Sequence, residues 1–151
     1  MIKAIETRYK GYHFRSRTEA RWAVFFDDMG YTWEYEREGF QLPSGYYLPD
    51  FYFTYSYHKV YMEVKGQEFT PEERQKCKEL SADYDVVMLD GPPKLKSYEF
   101  YMQGEHELSS FVFIPAGEKY APFYYTYERN PDPEDYSSTL LSVHEALSYR
   151  F

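Results

Sequence analysis

Apolar residues recur at Trp22, Phe25, Phe26 and Met29, the spacing that places them on one face of a helix. Ser16 stands ahead of this stripe as an N-cap, Glu19 follows three positions later in a capping-box pattern, and Gly30 marks the end. A helix over 16–29 is predicted. Glu19 precedes Trp22 by three residues and Ala23 by four, so it sits above the buried stripe and not opposite it. From 33 to 41 polar and apolar positions alternate, which predicts a strand with one wet face. Pro43-Ser44-Gly45 reads as a turn, and Leu48–Tyr55 as the next strand, with Pro49 at its start, where a missing N–H is tolerated. Tyr57-His58-Lys59 reads as a hairpin turn into a third strand, Val60–Lys65, stopped by Gly66.

Thr70-Pro71-Glu72-Glu73 opens a second helix: a Thr cap, proline in the first position, acids in the first turn. It is expected to run to about Ala82. Val86-Val87-Met88-Leu89 is apolar throughout, which predicts a central strand reached by a right-handed crossover. Strands are expected at Tyr98–Gln103, Ser110–Ile114 and Phe123–Glu128, an acidic proline-rich loop at Asn130–Asp135, and a closing helix at Thr139–Tyr149. No repeat or linker divides the chain. The expectation is one α/β domain over residues 1–151, a mixed central β-sheet flanked by α-helices, with its core at about 8–91 and a β-rich C-terminal extension at about 92–151.

Composition narrows this picture. The chain is 43% hydrophobic and 28% charged, which is globular and not disordered. Nineteen tyrosines and twelve phenylalanines suit a sheet-rich core, and less often a set of stacking platforms for unpaired bases. No stretch approaches the ~20 apolar residues of a membrane span, and Met1-Ile2-Lys3-Ala4-Ile5-Glu6 lacks the long apolar run expected of a secretion signal. The lone Cys77 allows no internal disulfide, so a cytoplasmic protein is expected. Net charge is −8, which counts against a nonspecific DNA coat protein. The charge is uneven: residues 1–66 hold nine basic and nine acidic groups, residues 67–151 eight and sixteen. Six basic residues fall within 1–21, so a polyanion would approach that end.

The chemistry concentrates in Val60–Lys65. Alternation turns Val60, Met62 and Val64 one way and Tyr61, Glu63 and Lys65 the other, placing an acid and an ammonium side by side at a strand end. If the strand opened by Pro49-Asp50 pairs with it as a hairpin, Asp50 approaches Glu63. Two carboxylates can hold a hard divalent cation, and a neighbouring lysine can orient water or stabilise charge on phosphate oxygens. Equally, Asp50 and Lys65 could be a cross-strand ion pair worth about 0–1 kcal/mol, and Glu19 only a capping partner. Arg15, Arg17 and Arg21 suit phosphate contacts or a solvated helix end about equally. Gln67 can reach the site edge or simply face solvent. His13, His58, His106 and His144 show no ligand spacing.

Pro49-Asp50 followed by Glu63-Val64-Lys65 resembles the PD-(D/E)XK nuclease signature. Phe14-Arg15-Ser16-Arg17-Thr18-Glu19-Ala20-Arg21-Trp22-Ala23, the Gly39-Phe40 segment and the closing His144-Glu145-Ala146-Leu147 with Arg150-Phe151 resemble small phage-encoded nucleases of that superfamily. The resemblance implies a restriction-endonuclease-like core and a metal-dependent endonuclease acting on DNA in a host cytoplasm. It implies that Asp50, Glu63 and the Val64 carbonyl bind Mg²⁺, with Mn²⁺ able to substitute, that Lys65 assists the water, and that Glu19 completes the site directly or through water. A catalytically idle nuclease-fold module engaging a protein or nucleic acid is the alternative, and a homodimer is left open.

Overall fold

The computed structural model of the chain describes residues 4–55, 58–104, 107–116 and 133–151. It opens with a hairpin of β1 (Thr7–Tyr9) and β2 (Tyr12–Phe14), followed by helix α1 (Arg17–Asp28) and the short strand β3 (Glu34–Tyr35). A second hairpin, β4 (Phe40–Leu42) and β5 (Gly45–Tyr47), leads to β6 (Phe51–Tyr55) and β7 (His58–Lys65). Helix α2 (Pro71–Leu80), strands β8 (Asp85–Asp90), β9 (Tyr98–Tyr101) and β10 (Leu108–Phe111), and helix α3 (Pro133–Ser148) complete the order.

Six strands form one mixed sheet in the order β10-β9-β8-β7-β6-β3. β7 and β8 are its parallel pair, joined through α2, and the remaining neighbours run antiparallel. The two faces follow the alternation of β7. Val60, Met62 and Val64 join Val87 and Leu89 in a core with Trp22, Phe25 and Phe26 of α1 and Val143 and Ala146 of α3. Tyr61 joins Val86, Met88 and Tyr52 in a second core with Cys77 and Leu80 of α2 and Tyr47 of β5. α1 and α2 therefore flank opposite faces. No helix among the described residues is long and apolar enough to cross a membrane.

Several expected boundaries move. The 33–41 strand shortens to two residues because Glu36 takes a positive φ of 48° and turns its N–H onto the Asp50 carbonyl at 2.8 Å; Phe40–Leu42 pairs with β5 outside the main sheet. β6 begins at Phe51, so Pro49 and Asp50 precede it. The strands expected at 98–103 and 110–114 are β9 and β10, and they widen the central sheet instead of forming a separate extension. α3 starts at Pro133, inside the segment read as a loop, while the strand expected at 123–128 lies outside the described residues. The Glu19 capping box is half made: Ser16 Oγ accepts the Glu19 N–H at 3.1 Å, but the Glu19 carboxylate accepts from the Tyr35 hydroxyl. The box that does close is at α2, where Thr70 Oγ1 accepts from Glu73 N and Glu73 Oε1 accepts from Thr70 N. The β1–β2 hairpin lies outside the expected elements.

Candidate functional site

The β6–β7 register sets Phe51 against Met62, so Asp50, one step before β6, comes opposite Glu63. The Val64 N–H donates to Asp50 Oδ2 at 2.7 Å, fixing that carboxyl at the strand end. Glu19 arrives from the first turn of α1, on the other side of the sheet, and reaches the same strand end. Asp50, Glu63 and Glu19 are only 8%, 5% and 7% exposed. With Val64 and Lys65 they line one cavity of about 510 Å³, whose rim includes Arg15, Tyr46 and Lys76.

Charge is the central fact of this cavity. Burial pushes the Asp50 carboxyl well above the usual range, the charge of Glu63 pushes it further, and the Val64 N–H and Lys65 offset this only in part. Burial, then the charge of Asp50, raises Glu19 to about 7 against the opposing Tyr35 hydrogen bond. Lys65 points its Nζ at Glu73 Oε2, 3.1 Å away. Burial lowers the Lys65 pKa, but Glu63, Glu73 and Asp50 outweigh it, and the ammonium is held charged. Tyr47 lies buried against Glu63 and Cys77, with its hydroxyl pushed up by burial and by both neighbours.

Gly91 ties the two layers together here. Its N–H donates to the Lys65 carbonyl at 2.7 Å, and its own carbonyl accepts the Trp22 indole N–H at 2.9 Å. The φ of +81° that permits both bonds suits glycine.

The donor set fits a hard divalent cation. Two buried carboxylates that repel each other beside a roomy polar cavity are what such an ion would relieve, with water filling its remaining positions. Among the described residues no three His, Cys, Asp or Glu side chains converge closely enough for a metal cage. Asp50 and Glu63 would thus be the side-chain ligands, with Glu19 standing back on Tyr35.

The basic residues divide. Arg15 lines the cavity but pairs with Glu36 at 3.0 Å. Arg21 turns away, donating to the Ala146 and Leu147 carbonyls at 2.9 and 2.8 Å, where it caps the end of α3. Arg17 and Gln67 are exposed and lie outside the cavity lining. Sequence reasoning missed Tyr35, Tyr47, Glu73, Tyr46 and Lys76. Glu73 carries a visible cap signal, but its hold on Lys65 comes only from tertiary placement, and nothing marks these tyrosines among nineteen. Comparison with protein-family models, characterised proteins and solved structures finds no match.

Proposed function

We propose that the protein is a Mg²⁺-dependent nuclease of the PD-(D/E)XK type, hydrolysing phosphodiester bonds in DNA, and that it is phage-encoded. The observation that carries this reading is the meeting of Asp50, Glu63, Glu19 and Lys65 around one cavity, on elements from both sides of the sheet. Asp50 and Glu63 would hold the cation beside the Val64 carbonyl. When bound, the ion supplies Lewis acidity to the scissile phosphate and eases deprotonation of water. Lys65 offers an ammonium to phosphate oxygens or to the attacking water, and Glu73 keeps it in place. Glu19, raised to about 7, is placed to accept a proton near neutral pH.

The test is a panel of labelled single-stranded, duplex and branched DNAs incubated with Mg²⁺, Mn²⁺ or a chelator. Metal-dependent cleavage by the parent, lost in Asp50→Asn and Lys65→Ala variants that keep the parent circular dichroism, is the expected result. No cleavage of any substrate with either metal would remove the reading, and tight DNA binding without cleavage would leave the idle-module alternative.

A further inference from the structure

The β4–β5 hairpin flanks the carboxylate cavity and contributes Tyr46 and Tyr47 to its lining. Tyr46 is 62% exposed, yet it lines the cavity with Asp50 and Glu63. An exposed aromatic is ordinary on a tyrosine-rich surface, but this one is held. Its ring rests on Gly39, where an added β-carbon would overlap the phenol. Lys76 Nζ on α2 donates to the Tyr46 carbonyl at 3.2 Å, and the Ser44 N–H donates to Glu79 Oε1 at 2.9 Å. Beneath them Tyr47 packs into the core shared with α2, with Phe40 and Leu42 against it. The hairpin is thereby anchored to α2 while the rest of the Tyr46 ring stays open.

We infer that Tyr46 is a stacking platform for a nucleobase, and that the preferred substrate is DNA with unpaired nucleotides beside the scissile phosphate. This rests on the nuclease reading above. An exposed ring on an anchored hairpin at the cavity rim can stack only on a base whose face is free, and in a continuous duplex both faces of each base are covered by neighbours. Arg15 and Lys76 sit on the same rim, where flanking phosphates would compete for them with Glu36 and the Tyr46 carbonyl. The cavity lining itself is acid-rich, with Glu19, Asp50, Glu63, Glu72 and Glu73 against Arg15, Lys65 and Lys76, so a short unpaired stretch meets fewer repulsive contacts there than a long duplex.

The experiment measures binding of fluorescein-labelled oligo(dT) and of a blunt duplex of equal length in chelator, so that turnover plays no part. Cleavage of both is then followed with Mg²⁺. The parent is expected to favour the single strand. Tyr46→Ala should lose roughly 5- to 150-fold in single-strand affinity and little on duplex, while Tyr46→Trp keeps the preference. Gly39→Ala, which displaces the ring without removing it, should weaken single-strand binding in the same direction. A 2-aminopurine next to the cleaved bond should be quenched by the parent and less so by Tyr46→Ala. Equal binding of both DNAs, or unchanged single-strand affinity in Tyr46→Ala, overturns the inference even if cleavage proceeds. Tyr46-dependent binding with no metal-dependent cleavage instead defeats the nuclease reading and leaves the platform standing.

Discussion

Glu19→Gln sets a structural role against a catalytic one, and the cavity decides the sign of its effect on stability. As a capping partner alone, Glu19 would lose about 0.3–1 kcal/mol with its charge at the helix N-terminus. Its side chain, however, is buried beside Asp50 and raised from 4.5 to about 7. A carboxyl raised on folding contributes stability that is fully present below the unfolded value and is lost as pH rises through the folded one. The window is therefore about pH 4.5 to 7, and at about 1.4 kcal/mol per unit the loss by pH 8 is about 3 kcal/mol. Glutamine keeps an acceptor for the Tyr35 hydroxyl, and its amide would lie at the polar cavity that Glu19 lines. Net of the dipole term, Glu19→Gln should stabilise the metal-free protein at pH 8 by roughly 2–3 kcal/mol, on the order of 4–12 °C in Tm for this size. Urea unfolding in chelator at pH 5 and pH 8 measures it. Parent stability should fall more steeply between these pH values than that of the variant, with the raised Asp50 giving both a shared downward slope. Cleavage by the variant should nonetheless be mostly lost. Parallel pH profiles, or a variant less stable at pH 8, would refute the argument from burial; full activity would leave Glu19 outside the chemistry.

Calorimetric titration of Mn²⁺ should show binding that disappears in Asp50→Ala/Glu63→Ala, and survival of the heat signal would move the ion elsewhere. Glu73→Gln, which keeps the acceptor of the α2 capping box, should cost only about 0.3–1 kcal/mol through its lost charge and lower kcat by freeing Lys65, while Thr70→Ala, which breaks the cap at about 0.5–2 kcal/mol, should leave kcat near the parent value. Equal kcat losses in these two variants would deny Glu73 a hold on Lys65. Arg21→Ala should lower Tm by uncapping α3 without changing the salt dependence of DNA binding, whereas Arg15→Ala should reduce that slope by about one. The reverse pattern would put the DNA path along α1.

How far the fold could be read depends on how local its determinants are. The alternation of Val60–Lys65 and the all-apolar Val86–Leu89 run report directly on which side chains are buried, and both strands and their faces are found where the pattern puts them. The helix beginning at Thr70 is equally local, since its cap, proline and acids lie within four residues. The break at Glu36 is not local: it serves a hydrogen bond to Asp50, fourteen positions on, that no periodicity announces. Asp50, Glu63, Val64 and Lys65 are brought to one place, and Glu19 joins them. The arginines fare differently because a cation cluster in sequence says nothing about partners that arrive later in the chain, as the α3 carbonyls do for Arg21.

Gly91 gives the molecule an optical property. Trp22 and Trp33 are its two tryptophans, and Trp22 is wholly buried with its indole N–H on the Gly91 carbonyl. The same glycine holds the Lys65 carbonyl, so a displacement of the lysine-bearing strand end would reach the polar edge of one of the two indoles. Emission at that indole depends on the hydrogen bond it makes, so in a Trp33→Phe background the architectural tie would serve as an intrinsic reporter of the strand end, readable without a dye.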